Sequence, residues 1–514
     1  MQVAKYIILS ILLLLAGYSL IWGPRAEFTP TKGTVVIQYW EKWTGLEGSE
    51  MEDIVNKYNQ NEGRQKGIYV QYLSMANVSQ KTLIATAAGT PPDVAGVWDT
   101  QLAQWASTDA LEPLDDFVRN YSDYKLDANY YKSVYWDACH FNGKLYGLVS
   151  TPANIGLQYN KALFAENADA LRAAGCDPTR PPRTFAEFDR YAAALDKKQG
   201  DKVFRVGFAP MEPGWYAPQL PFWFGGELFD QKTQHFTLTT PQCVAAMEWV
   251  KSYSKRLGAA ALNDFRNGLG DFASINSPFI TGQSVMELYG PWSANYIGLL
   301  KPSMNDPTNP AWMDANFSTL PAAQRQAVLD RHMAKPWQER QKLAQYAFAP
   351  FPSVYVDQLI TPRHTVDQLT DEELIDNGVT YCCFDVLVIP AGSKHKKEAF
   401  DFIAYVNRTD VMEKLCQLHC CTSPLAHNSP TWLSNHPNAY MSVFDRLTRS
   451  PRAHHLPIIP IWPEVIDELN NVCQRISLLN QEPADALRES QDILQAKLDQ
   501  FYARHPEARG TNGQ

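Results

Sequence analysis

The chain has 514 residues, 45% of them hydrophobic and 20% charged; this is globular composition and excludes the disordered, collagenous and disulfide-scaffold classes. That length exceeds what one hydrophobic core serves, so two or more lobes are expected. With 46 Lys+Arg against 55 Asp+Glu the net charge is -9, which argues against nucleic acid as a partner, because that binding needs positive charge to release counterions.

The first element is the apolar run at 6–22 (YIILSILLLLAGYSLIW), preceded by Lys5. It lies between a short membrane span and a long signal core, so residues 1–27 are read as a signal anchor or a cleaved signal peptide. Leu15-Ala16-Gly17 opens like a lipobox, but Tyr18 stands where the lipidated Cys would be. A strand follows at 34–40 (TVVIQYW), then a helix capped by Ser49 with Met51, Ile54, Val55 and Tyr58 on one face. A strand at 68–73 leads to a helix at 81–88, with Leu83, Ile84 and Ala87 inward, stopped by Gly89 and Pro91-Pro92. A third strand is expected at 94–98. This alternation implies an α/β fold with a parallel sheet and right-handed crossovers. Ligands of such sheets sit at the carboxyl ends of strands. The residues at those ends are Glu41, Lys42 and Trp43 after the first strand, and Trp98 and Asp99 at the third.

A turn at Asn142-Gly143 precedes an extended stretch to Asn160, helices at 161–174 and 184–198, and a strand at 204–209. An aromatic segment occupies 215–229 and a helix 242–257. The strand at 284–289 (SVMELY) runs into Gly290-Pro291-Trp292. Residues 300–345 are first Pro-rich, then helical and polar. A strand at 384–389, a helix at 396–407 and a final helix opened by Pro483, with Leu487, Leu494, Leu498 and Phe501 at helical spacing, complete the pattern. Residues 506–514 are expected to be a flexible tail.

Nine Cys are too few for a disulfide scaffold. Cys416, His419, Cys420 and Cys421 resemble a metal cluster, but the spacing fits no standard zinc pattern. Buried thiols or a disulfide are the better reading, and a bridge to Cys382-Cys383 stays open in an oxidising compartment. There is no G-x-S-x-G, P-loop, G-x-G-x-x-G or H-E-x-x-H, so neither an enzyme nor a cofactor is indicated. Aromatics do stand out beside Gly, Pro or polar residues: Trp40, Trp43, Trp98, Trp215, Tyr216, Trp223, Trp292 and Trp462. For any single Trp a place in the core is the usual reading. As a set, flat rings next to short polar side chains suit a sugar, whose C–H face stacks on indole while Glu, Asp, Asn and Lys bond its hydroxyls. Glu41 and Glu212 could face each other across such a sugar, which keeps a carbohydrate-active enzyme as the less favoured alternative.

Five segments, in order, carry a resemblance: 79–114 (SQKTLIATAAGTPPDVAGVWDTQLAQWASTDALEPL), 142–164 (NGKLYGLVSTPANIGLQYNKALF), 182–195 (PRTFAEFDRYAAAL), 282–292 (GQSVMELYGPW) and 386–403 (VLVIPAGSKHKKEAFDFI). The chain resembles the extracellular solute-binding proteins of ABC importers, in the branch that includes maltose-binding proteins. The resemblance implies a two-lobed periplasmic-binding-protein fold, type II-like, with the ligand cleft between the lobes. Lobe I would be 34–150 plus 386–430, and lobe II 151–385 plus 431–505 with an insertion at about 293–346. Strands would cross near 149–154 and 382–387, and again after about Ser423.

Carried over, the cleft residues would be Trp40, Glu41, Lys42, Trp43, Trp98 and Asp99, then Glu212, Trp215 and Tyr216, then Gly290, Trp292 and Trp462, with Trp223, Asp385 and Ser423 as weaker candidates. Glu212-Pro213 looks like the maltose-binding segment that supplies a carboxylate and a stacking ring. The implied function is a monomeric receptor, periplasmic or on the extracytoplasmic face, secreted or held at the inner membrane by its first segment, that delivers a carbohydrate to permease subunits. The same fold binding a non-sugar solute, or feeding a sensor, is the alternative. A phosphate ligand would call for Arg, and none lies at these strand ends.

Overall fold

The computed structural model describes residues 33–313 and 320–509. The expected export segment at 1–27 and the end of the tail at 510–514 lie outside the described residues. Among the described residues no helix is long and apolar enough to cross a membrane.

Strand β1 (Val35–Glu41) is flanked in parallel by β2 (Ile68–Ser74) and β3 (Val94–Trp98). Its period-2 pattern buries Ile37 and Tyr39 and leaves Gln38 exposed. Helix α1 (Gly45–Gln60) buries Met51, Ile54, Val55 and Tyr58, the expected face. It begins four residues before Ser49, however, and the Ser49 hydroxyl donates to the Leu46 carbonyl (2.7 Å) inside the first turn instead of capping. Helix α2 (Val78–Ala87) turns Val78 and Thr82 inward, while Ile84 is 69% exposed. Of the expected inner face Leu83/Ile84/Ala87, only Leu83 packs against the core, half-buried, while Ile84 and Ala87 are exposed: the helix starts earlier, and the i, i+4 row through Val78 meets the sheet. Helix α3 (Asp99–Ala106) leaves directly from β3.

The turn at Asn142-Gly143 has φ of 48° and 75° and closes a short hairpin, His140–Phe141 with Lys144–Leu145. Strand β4 (Gly147–Asn154), buried along its whole length, continues through Ile155 into β5 (Gly156–Asn160). Helices α4 (Pro241–Leu257) and α5 (Ala259–Asn267) follow. β5 is the centre of a second sheet, antiparallel to β6 (Met286–Tyr289) on one side and β7 (Tyr346–Ala349) on the other. Between β6 and β7 the chain makes α6 (Ser293–Leu300) and several short helices. Arg340, 1% exposed, fixes this insertion by donating to the carbonyls of Ser434, His436 and Pro437 at 3.0–3.1 Å.

Strand β8 (Thr380–Val388) returns to the first sheet, antiparallel to both β3 and β4. β4–β5 and β8 thus cross between the two sheets side by side. Their register shifts between Phe384 and Val386, which leaves Asp385 at the irregularity, opposite Trp98. Helices α7 (Lys396–Asn407) and α8 (Thr409–Leu418) pack with α1 over the first sheet. Helices α9 (Trp462–Leu478) and α10 (Pro483–Arg504) pack on α4, and α9 also reaches α3. All nine cysteines are free. The bridge held open between the 382–383 and 416–421 groups does not form; all of these thiols but the half-buried Cys383 are buried, Cys416 against the Met412 sulfur (3.6 Å). Among the described residues no group of three or more His, Cys, Asp or Glu side chains is placed to hold a metal ion.

Candidate functional site

A cavity of about 360 Å³ lies between the two sheets, where β8 crosses. Its first-lobe wall is built on the end of β1. The Glu41 carboxylate, fully buried, accepts the backbone N–H of Lys42 (2.7 Å) and of Trp43 (3.3 Å) and the Tyr39 hydroxyl. Gly96 on β3 makes this possible: a Cβ there would stand 2.2 Å from a Glu41 oxygen. The loop so fixed aims Trp43 at the crossing strand, where its indole Nε1 donates to Asp385 (2.6 Å). Lys42 Nζ lies 2.8 Å from the other Asp385 oxygen and 4.5 Å from the centre of the Trp98 ring, a cation–π contact. The Thr151 hydroxyl, from β4, also donates to Asp385. Burial raises the Asp385 acid above its ordinary range, and Lys42 opposes that rise. Trp43 and Trp98 meet edge to face, 5.0 Å between centroids.

The second-lobe wall is aromatic. Trp215 and Tyr216 precede the 3-10 helix Ala217–Phe224, and Trp292 follows β6. The Trp292 indole lies over Gly290, where a Cβ would meet the ring at 1.7 Å. Phe272, from the loop after α5, stands edge-on to Trp215 (4.9 Å) and to Tyr296 (5.2 Å). Trp98 and Trp215 are each 42% exposed, an uncommon state for indoles that a binding surface accounts for. The lobes touch at the rim through α6: the Tyr296 hydroxyl bonds Glu47, and the Asn295 amide donates to Glu50 (3.4 Å) and to the Leu418 carbonyl (3.1 Å). Burial pushes Glu50 up to about 8. His419, 3.4 Å from it, is driven down to about 3 by burial and stays neutral.

A second cavity, about 200 Å³, adjoins the first and shares Trp215, Phe272 and Tyr296 as walls. Glu212 and Glu287 line it. Burial pushes Glu212 up to about 7 against the pull of Arg266, which is 3.8 Å away. Burial, with repulsion from Glu212, pushes Glu287 up to about 8.

The structure therefore brings Trp43, Trp98, Trp215, Tyr216 and Trp292 together around one cavity. Glu41, Lys42 and Gly290 support these rings from behind, and Glu212 faces the adjoining acidic cavity. Five residues, Trp40, Asp99, Trp223, Ser423 and Trp462, lie elsewhere. Trp40 is half-buried on β1 and does not line the cleft. Trp223, 0% exposed, is core, edge-on to Phe351. Trp462, 1% exposed, starts α9 and shares with Asp99 a crevice of about 20 Å³ against α3. Ser423 is buried, and its carbonyl accepts from Lys132 (2.9 Å). Glu41 and Glu212 do not face each other across the cleft, since the Glu41 oxygens are consumed by its own loop. Sequence reasoning missed Thr151, Phe272, Cys383, Tyr296, His419 and Cys421 as lining residues. Tyr296 had a signal, one helical turn beyond Trp292; Phe272 had none.

The family model described as bacterial extracellular solute-binding protein matches residues 53–430. The sn-glycerol-3-phosphate-binding periplasmic protein UgpB of Escherichia coli K12 is 25% identical over 253 residues, 48% of this chain and 52% of UgpB. The chain thus matches about half the length of these curated relatives. Among solved structures, CpMnBP1 with mannobiose bound superposes with a TM-score of 0.65 at 22% identity, over 89% of this chain and 99% of that one. The sugar-binding protein MalE of Xanthomonas citri gives 0.64 at 18% identity, over 91% and 98%. These likenesses establish the two-lobed fold.

Proposed function

The chain belongs to the bacterial extracellular solute-binding protein family, and from that premise we propose that it is the substrate-binding component of an ABC importer, taking a mono- or oligosaccharide between its lobes and handing it to permease subunits. The observation that carries this reading is the cavity wall: indoles from both lobes around a carboxylate, Asp385, that is fixed by Trp43, Lys42 and Thr151. Indole faces take the C–H surface of a sugar ring, and the few polar groups orient its hydroxyls. A solute that touches both walls favours the closed state, which is the signal a permease reads. Two structural relatives, the mannobiose-bound CpMnBP1 and the sugar-binding MalE, support a carbohydrate.

The UgpB relative suggests glycerol phosphate instead. Against it, neither Lys nor Arg lines the cleft among the described residues, and the Lys42 ammonium, over the Trp98 ring, is engaged by Asp385. A receptor rather than a catalyst fits a site in which Glu41 and Glu212 are kept apart. We assign lobe I to 34–150 with 386–430 and lobe II to 151–385 with 431–505, and place the monomer on the extracytoplasmic face, which the family and the apolar run at 6–22 both support. A thermal-shift screen of the purified protein against sugars, polyols and glycerol phosphates, followed by calorimetry, tests the reading. Stabilisation by a sugar that is recovered chemically unchanged is expected. Stabilisation by phosphates alone, or turnover of the sugar, overturns it.

A further inference from the structure

The acidic cavity is built for something that a neutral ring in the aromatic cleft does not reach. Glu287 interrupts the apolar strand β6, is 3% exposed, and leaves Oε1 without a hydrogen-bond partner. Its register partner on β5, Gln158, is 1% exposed and leaves Oε1 unpartnered as well. The Ser293 hydroxyl at the start of α6 is a third buried orphan, and all three residues line the cavity. An unsatisfied buried polar group costs about 1–3 kcal/mol, so three facing one cavity call for a polar occupant there.

Taking the carbohydrate reading above as its basis, we infer that the solute carries a second unit bearing a protonated amine, an amino-sugar residue, that sits in this cavity while a neighbouring ring stacks in the aromatic cleft. Two of the three orphans, Gln158 Oε1 and Glu287 Oε1, are pure acceptors when Glu287 is ionised, and the third, the Ser293 hydroxyl, can accept; an ammonium is a pure donor. The charged side chains that line the cavity are the acids Glu212, Glu287 and Asp271; Arg266 stands 3.8 Å from Glu212, and the Lys301 ammonium donates to the carbonyl of the lining Ile280 (3.0 Å). A bound cation offsets the burial that otherwise holds both glutamates protonated. Among the described residues no three His, Cys, Asp or Glu side chains are placed to hold a metal ion. At about 200 Å³ the cavity has the room of roughly seven waters at about 30 Å³ each, enough for a ring substituent and much of its ring. Because Trp215, Phe272 and Tyr296 wall both spaces, a two-unit molecule reaches both.

The test is calorimetry on the whole exported protein with three disaccharides of one skeleton: the β-1,4-linked glucosamine dimer, its N,N′-diacetyl form, and cellobiose. The diamine is expected to bind at least tenfold tighter than cellobiose. Acetylation, which removes the charge, should erase that advantage, and Glu287→Gln should cut the ratio below threefold in a protein whose melting curve shows it folded. A wild-type diamine that binds no tighter than cellobiose overturns the inference without any variant, and so does a full ratio retained in folded Glu287→Gln. If neutral sugars bind and the diamine does not, only this inference fails. If no sugar of any kind binds, the carbohydrate reading fails with it.

Discussion

An alanine at 290 has no place for its methyl group. The Trp292 ring occupies it, and the glycine's missing Cβ is what lets the indole fold back against Tyr289 (5.5 Å) and Tyr216 (6.4 Å). Trp292→Ala is therefore expected to cost about 2 kcal/mol of solute affinity, roughly thirtyfold, as a central aromatic contact does. Gly290→Ala should reproduce much of that loss by displacing the same ring. Calorimetry with the solute found by screening checks both, and unchanged affinity in Trp292→Ala removes that ring from the site. Gly96→Ala acts one step further back: its methyl would displace the Glu41 carboxylate that holds the 42–43 loop. It should lower stability by about 1–3 kcal/mol, as overpacking does, in denaturant melts, and weaken binding besides. Residue chemistry was legible where an indole follows a strand end, as at Trp43, Trp98 and Trp292. It misled at Trp223, between two Phe, and at Trp462, beside Pro463, because only tertiary packing decides whether a helix buries such a ring.

At the scale of elements, hydrophobic periodicity disclosed β1, β2, β3 and α7 nearly to the residue, and the buried face of α1 though not its start. It could not show that β4 and β8 cross between lobes, because a strand buried on both sides has no alternation to read. The shift that sets Asp385 into the cleft is a property of pairing, not of either strand alone. Helix α6 is the element that joins cleft to closure. It starts one residue after Trp292 and carries Asn295 and Tyr296 to α1 of the other lobe. Tyr296→Phe keeps the ring that packs on Phe272 and removes only the hydroxyl that bonds Glu47. A lost charge-assisted hydrogen bond of about 1.5–3 kcal/mol predicts a closed complex that dissociates at least tenfold faster. Stopped-flow dissociation measures this; an unchanged off-rate would show that the contact does not hold the lobes together.

For the whole molecule, the buried acids and the buried histidines oppose each other in their response to pH. Burial raises Glu50, Asp99 and Glu287 to about 8 and Glu212 to about 7, so the folded chain keeps protons that the unfolded chain releases from about 4.5 (about 3.8 for the Asp) upward. Their stabilising contribution is complete below those unfolded values and is lost as pH climbs to about 8. Burial lowers His419 to about 3 and His436 and His454 to about 4, so their contribution is complete above about 6.5 and is lost as pH falls toward 4. Between about 4.5 and 6.5 the two sets partly cancel. Above 6.5, of these two sets only the acids still titrate, and the buried thiols, raised above their ordinary value, act in the same direction near 8.5, so the melting temperature of the unliganded protein should fall from pH 6.5 to 8.5. Glu50 makes this a statement about the lobes as well as the fold. It faces Glu47 and Asp53 on its own helix, Lys414 on α8, His419 just beyond α8, and Asn295 from α6. When it ionises, a third acid joins Glu47 and Asp53 beside the contact between the lobes. Glu50→Gln, which keeps the hydrogen-bonding shape without the proton equilibrium, should flatten the alkaline fall in melting temperature while matching the wild type near pH 6. Calorimetric scans of both proteins across pH 5–9 decide it, and parallel curves would mean that Glu50 carries none of the pH response.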